Sequence, residues 1–206
     1  MLRRDVTYTT ERLGALSDGV FAIILTLLVL ELKIPELPAA YREQQMITDL
    51  EDQVPNFVAW IISFILVARI WIVHHGIIAR LARCHVGTIT LNFLLLGFCS
   101  LVPFGAGLIG TYEWDPLAIT TFSAIFAATG VSLGLLARHV AREVHLHRED
   151  AAPLDLAFHW KYHAFGIPGI AVLSVLMIPV EEVISLGLWI FEPALAFAGA
   201  WKRGRD

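Results

Sequence analysis

Residues 12–31 read Arg12-Leu-Gly-Ala-Leu16-Ser17-Asp18-Gly-Val-Phe21-Ala22-Ile23-Ile-Leu-Thr26-Leu27-Leu28-Val29-Leu30-Glu31. After Asp18, twelve residues pass without a charge, and Thr26 carries the one side-chain oxygen among them. A hydrocarbon core of about 30 Å needs about 20 mostly apolar helical residues, which Leu13–Leu32 supplies. The run is too long for a cleavable leader, contains Asp18 and is followed by no small-residue cleavage site, so it is expected to persist. Working outward, five more stretches of this kind follow: Phe57–Ile78, Thr88–Thr111, Leu117–Ala137, Ala157–Val180 and Glu182–Ala200. Composition agrees. Of 206 residues 57% are hydrophobic and 17% charged, with a mean hydropathy of +0.68, more apolar surface than one aqueous core buries. This excludes an ordinary cytosolic enzyme and predicts an all-α membrane protein with six transmembrane helices, forming a single transmembrane domain over residues 1–206.

Charge orients it. With the N-terminus inside, twelve of the fifteen Lys and Arg residues fall on inner segments. Only Lys33 and Arg42 fall outside, and Arg69 lies within helix two. Basic residues accumulate on the cytoplasmic side, so both termini are expected there, which fits an even helix count. The outer connections carry Glu36, Glu43, Asp49, Glu51, Asp52, Glu113, Asp115, Glu181 and Glu182, a face that attracts cations. Pro179–Glu182 reads as a tight hairpin between helices five and six. Pro35–Pro55 and Arg138–Asp155 are too short for separate domains, and Val140 and Val144 continue the pattern of helix four beyond the membrane. Cys84 and Cys99 form no paired motif, and the formal charge of -4 with scattered basic clusters excludes a nucleic-acid partner.

An ionised group at membrane depth is a functional candidate unless it is paired or hydrated. Asp18 is such a group, and Arg12, Ser17, Trp71, His74 and Asn92 recur at similar depth, each needing a partner where water is scarce. One buried network joining helices one to three is expected, the bland alternative being that Asp18 is solvated at the interface or forms a structural pair. Ile23, Leu27 and Leu30 stand at i, i+4 and i+7 on one face of helix one. Asp18 is turned about 140° away from Ile23, so its carboxylate is expected to hold the helix rather than meet an ion.

Arg12-x-x-x-Leu16-Ser17-Asp18 followed by Phe21-Ala22-Ile23 and Thr26–Leu30, then Trp71-x-x-His74-His75, then Asn92 with Pro103-Phe104, resembles the transmembrane protein 175 family of potassium channels. Leu16 stands where that family has Phe. The match runs through helices one to three, and helices four to six agree only in number and length. The resemblance implies a potassium-selective channel that conducts passively through a homotetrameric pore lined by helix one. Ile23, Leu27 and Leu30 would be its hydrophobic layers, with Ile23 narrowest and Thr26 a hydroxyl layer. It further implies a polar network of Arg12, Ser17, Asp18, Trp71, His74 and Asn92. Glu31 is a candidate for an outer carboxylate ring, its alternative a solvated helix end. No cofactor or metal is expected; potassium is the permeant ion, and the lipid bilayer and other monovalent cations are the partners. A bacterial inner membrane is the expected location.

Other classes fit less well. There is no Thr-Val-Gly-Tyr-Gly filter and no helix with basic residues every third position. No nucleophile elbow, phosphate loop or catalytic carboxylate pair is present, so no enzyme is expected. A secondary cation or proton transporter is the alternative, but inverted repeats with Gly- or Pro-broken helices in both halves are not evident. His159 and His163 stand four apart without a completing carboxylate, and His139, His145 and His147 read as a solvated face. Gly166, Pro168 and Gly169 suggest a kink in helix five or a close helix contact.

Overall fold

The computed structural model describes residues 7–32, 43–112, 115–151, 154–181 and 184–193. A two-residue strand β1 (Tyr8–Thr9) leads into α1 (Thr10–Leu27), which tightens into a 3-10 turn at Leu28–Glu31. Then come α2 (Glu43–Glu51), α3 (Val54–Ala79), β2 (Arg83–Cys84), α4 (Val86–Cys99), α5 (Val102–Thr111) and α6 (Pro116–Arg142). A 3-10 turn at Val144–Leu146 precedes α7 (Leu156–Lys161), a π-helical turn at Tyr162–Gly166, α8 (Ile167–Met177) and a last helix α9 (Ile184–Pro193).

Four helical segments are long and apolar enough to cross a bilayer: Thr10–Glu31, Met46–Ala79, Val86–Thr111 and Pro116–Arg142. The fifth expected span is helical from Leu156 to Met177 but in three pieces. Of the sixth, Ile184–Pro193 is described; its expected continuation to Ala200 and the acidic loop residues 33–42 lie outside the described residues.

One expectation needs correcting. Thr88–Thr111 is not one helix: α4 stops at Cys99 and α5 restarts at Val102. Pro103 has no N–H and its ring would clash with the carbonyl four residues back, so the chain re-enters a helix with Pro103 in the first turn. Ser100 Oγ donates to the Gly97 carbonyl at 2.7 Å, taking up an acceptor at the break. Within the connection Pro35–Pro55 the short helix α2 forms, with Met46, Ile47 and Leu50 exposed on one side. Helix four runs past the expected Ala137 to Arg142, in line with the pattern at Val140.

α6 is the hub, packing on α4, α5, α7, the π turn and α8. Close approach depends on two glycines four apart. A Cβ on Gly134 would stand 2.7 Å from the Ala164 nitrogen, and one on Gly130 2.8 Å from Ile167 Cγ2. Spacing of small residues by four lets two backbones touch, and here the touching partner is the π turn. Buried serines join α6, α8 and α9: Trp189 Nε1 donates to Ser123 Oγ at 3.3 Å, Ser174 Oγ donates to the Ser185 carbonyl at 2.8 Å and Ser185 Oγ to the Ser174 carbonyl at 2.6 Å.

At the end where α1 begins, three connections are stitched together. β1 pairs antiparallel with β2, Tyr8 opposite Cys84 and Thr9 opposite Arg83. Thr10 Oγ1 donates to the Leu81 carbonyl at 3.0 Å. The same 80–85 stretch is held to the turn after α6 by Ala82 N–H to Leu146 O at 2.9 Å and Arg148 N–H to Arg80 O at 2.8 Å.

Candidate functional site

The apolar run of α1 divides into two sides. Leu13, Ser17, Phe21, Ile24 and Leu28 recur every three or four residues and are buried against α3 and α4. The other side is uncovered: Ile23 is 58% exposed, Leu27 41% and Leu30 70%. Ala22 and Thr26 lie on the same open arc, with Asp18 exposed at its margin. Thr26 Oγ1 donates to the Ile23 carbonyl at 2.8 Å and lies 3.2 Å from the Ala22 carbonyl. With its proton committed to the backbone, the hydroxyl presents only lone pairs outward, an acceptor suited to a cation. Glu31 is half-buried, its carboxylate lying against Gly107 of α5, where a Cβ would displace it.

The polar residues form two groups rather than the single expected network. Ser17, Asn92 and His74, from α1, α4 and α3, are buried together. Asn92 Nδ2 donates to Ser17 Oγ at 3.0 Å, and Ser17 Oγ donates to the Leu13 carbonyl at 2.9 Å. His74 Nε2 lies 2.6 Å from Asn92 Oδ1, an oxygen that only accepts, so the proton of the neutral imidazole is assigned to Nε2. Nδ1 is then bare, in keeping with its lack of a hydrogen-bond partner among the described residues. Phe21 packs on the same ring with centroids 5.4 Å apart.

Asp18 belongs to the second group, its Oδ1 accepting from Trp71 Nε1 at 2.8 Å. One residue beyond Ser17 it is turned about 100° around the helix, to the margin between the packed face and the open arc. An open cleft of about 340 Å³ beside it is lined by Glu11, His74, His75 and Arg148 among others. Arg12 joins neither group. It is exposed and lines a separate cleft with Tyr8, Leu16, Cys84 and Ile89, and it enters none of the ion pairs among the described residues. Six residues before Asp18, it points about 120° away, which is why the expected Arg12–Asp18 contact does not form within the chain.

A third polar cluster was not anticipated. Arg69 of α3 forms a buried ion pair with Glu192 of α9 through Nη1 and Oε1. The Tyr162 hydroxyl donates to the same Oε1 at 2.8 Å, and the guanidinium lies over the Tyr162 ring, 5.0 Å from its centroid. The signal was present in the sequence: an arginine midway along helix two demands a counter-charge at its depth, and the run Trp189-Ile-Phe-Glu192 carries one. His159 and His163 stack nearly parallel with centroids 5.7 Å apart. His163 is buried, its ring nitrogens making no hydrogen bond among the described residues.

Comparison with known proteins bears on this arrangement. The family model described as endosomal/lysosomal potassium channel TMEM175 matches residues 12–103, from Arg12 through the α4–α5 break. A potassium channel from Chamaesiphon minutus is 31% identical over 192 residues, 92% of this chain and 93% of that protein. A potassium channel from a Chryseobacterium species is 32% identical over 158 residues, 76% of each. The crystal structure of a lysosomal potassium-selective channel TMEM175 homolog from Chamaesiphon minutus superposes with a TM-score of 0.75 at 27% identity, covering 92% of this chain and 97% of that one. The helices are those of an integral membrane protein, and the chain is a member of the TMEM175 family.

Proposed function

We propose that the chain is a potassium-selective channel in which four copies surround a pore lined by the open arc of α1. The observation that carries this reading is the exposure of that arc on the most apolar and least buried of the four long helices. Thr26 accompanies the apolar residues there, with Asp18 at the margin, and such oxygens facing lipid would forfeit hydration that an aqueous path supplies. A single helix encloses no water, whereas a closed ring of four does. Relatives named as potassium channels over nearly the whole chain support the same reading.

In this arrangement Ile23 forms the constriction, Leu27 and Leu30 form further apolar rings, and Thr26 contributes a ring of acceptor oxygens. Narrow apolar rings stop ions by dewetting and pass partly hydrated ions when dilated. Potassium sheds water more readily than sodium, so the cost of dehydration favours it without a carbonyl cage. Ser17, Asn92 and His74 hold α1 from behind, and Trp71 holds the Asp18 carboxylate at the margin of the arc. Arg12 stands at the base of the pore helix, where the facing partner is a neighbouring copy. Six membrane helices per chain in one domain, both termini in the cytoplasm of a bacterial cell and an outer ring of Glu31 complete the proposal, supported by the distribution of basic residues.

Reconstituted in liposomes, the protein is expected to pass potassium faster than sodium at rates beyond a transporter's turnover. Thr26→Val keeps the shape and removes the oxygen, and is expected to lower the potassium-to-sodium ratio. Saturating, transporter-like flux would favour the secondary transporter, for which the break before Pro103 and the π turn at Tyr162–Gly166 would serve as hinges.

A further inference from the structure

The stitched end of the molecule brings together side chains that no pore role uses. His85 ends the α3–α4 connection and caps α4, Glu143 ends α6, and His145 lies in the 3-10 turn that follows. The donor atoms of these three all lie within 4.8 Å of one another. Glu143 Oε2 is 3.7 Å from His145 Nε2, and the imidazoles of His85 and His145 lie tilted by 42° with centroids 5.9 Å apart. We propose that His85, Glu143 and His145 form a binding site for a divalent transition-metal ion of the zinc class, which ties the start of α4 to the end of α6.

Three observations support it. The first is the donor set. Two imidazoles and a carboxylate suit zinc, and three protein ligands with water in the fourth place make an open tetrahedral site. Ligand atoms around such an ion stand about 3.3 Å apart, given metal–ligand bonds of about 2.0–2.1 Å. The Glu143–His145 pair is close to that already, and His145, 66% exposed, has room to turn. The second is the backbone. The backbone bonds Ala82 N–H to Leu146 O and Arg148 N–H to Arg80 O, with the bridge between Leu81 and His147, hold the two segments that carry the donors side by side. The third is His139, one turn before Glu143. Its ring packs against Gly87, where a Cβ would stand 3.1 Å from Cε1, and its buried Nε2 has no hydrogen-bond partner among the described residues. It stands within electrostatic reach of both Glu143 and His85, a further imidazole at the edge of the site. His147, by contrast, is committed: its Nε2 contacts the Val140 carbonyl at 2.9 Å.

The spacing of these histidines in the sequence gave no such signal, since His85 lies 58 and 60 residues from the other two donors. The consequence reaches α1. β2 immediately precedes His85 and pairs with β1, which runs straight into α1, while Asn92 further along α4 bonds Ser17. A metal at this site tightens the collar from which the helix starts.

The test uses the full-length protein in detergent, titrated with Zn²⁺ by calorimetry and with Co²⁺ by the visible absorption of tetrahedral cobalt. One equivalent per chain is expected. His145→Ala and Glu143→Gln are each expected to weaken binding by more than about tenfold, the lower end of what losing an outer-shell partner alone costs. His147→Ala is expected to bind as the parent does. Glu143→Gln replaces a partly exposed side chain and keeps the proposal open to test should His145→Ala not fold. Absence of binding below millimolar metal would overturn the proposal. So would unchanged affinity in Glu143→Gln together with His145→Ala, which would place the ion on other histidines.

Discussion

α1 and α6 invert the rule that holds in water. Of the four long helices, Thr10–Glu31 is the most apolar and only 28% of it is buried, whereas Pro116–Arg142 is the least apolar and 61% buried. In a bilayer apolarity does not drive helices together, because lipid is as apolar as leucine; close packing and polar contacts do. α6 has both, in Gly130 and Gly134 against the π turn and in Ser123 against Trp189. α1 has neither on its open arc; it is attached along its packed face, where the Ser17–Asn92–His74 contacts lie, by Asp18 to Trp71 at the margin and by Thr10 to Leu81 at its start. The packed half is built to be held within the chain, and the open helix is left for something outside it.

The sharpest way to break this contrast is in the packed half. Removing one member of the Arg69–Glu192 pair, as in Arg69→Ala or Glu192→Gln, strands a buried group and is expected to cost about 3–5 kcal/mol. The apolar double replacement Arg69→Met with Glu192→Leu is expected to recover much of that loss. Thermal unfolding in detergent micelles checks both, and a double variant no better than the singles would show that the pair does more than balance charge. Gly134→Ala comes next, at about 1–3 kcal/mol, because its methyl group meets the Ala164 backbone and not a side chain that can move. The same melting experiment reads it, and an unchanged midpoint would mean that the close approach is slack.

On the side of α1, Asn92→Ala removes a donor to Ser17 and the acceptor facing His74, and is expected to cost about 1–3 kcal/mol. The loss should show first as poorer assembly, read by size-exclusion chromatography, with ion selectivity of the assembled fraction unchanged. The smallest expected effect is Ile23→Ser. In a detergent that keeps the chain monomeric it should shift stability by no more than about 0.5 kcal/mol, since the side chain touches little. A large loss there would mean that Ile23 packs within its own chain.

Much of α1 was legible in advance because helical period alone separates Ile23, Leu27 and Leu30 from Leu13, Ser17, Phe21, Ile24 and Leu28. The depth of Ser17, His74 and Asn92 was legible for the same reason, each lying at a similar distance from a helix end. What stayed hidden needs three dimensions. That Arg12 turns away from Asp18 follows from the helical angle but loses to the intuition that opposite charges meet. The Arg69–Glu192 pair joins residues 123 apart, and no local pattern specifies which helix supplies the counter-charge. The break at Ser100–Leu101 was readable from Pro103, but the continuous apolar run concealed it. The π turn at Tyr162–Gly166 falls where Gly166, Pro168 and Gly169 suggested a kink or close contact, but that Gly134 of α6 is the partner it meets needed the fold.

The central claim, that the open arc of α1 faces an aqueous conduction path, is tested most directly by placing a thiol on it. Ile23→Cys and Ile24→Cys are adjacent, one on the arc and one on the packed face, where Ile24 is 2% exposed. Cys84 and Cys99 are both buried, and burial pushes the Cys84 thiol up from its usual range, which lowers its reactivity further. Reconstituted channels carrying one or the other substitution are exposed to a charged, membrane-impermeant thiol reagent while potassium current is recorded. Progressive loss of current in Ile23→Cys, with Ile24→Cys unaffected, is the predicted result. Current that survives complete modification of Ile23→Cys, or an equal block in Ile24→Cys, would contradict it and move the conduction path off this face of the helix.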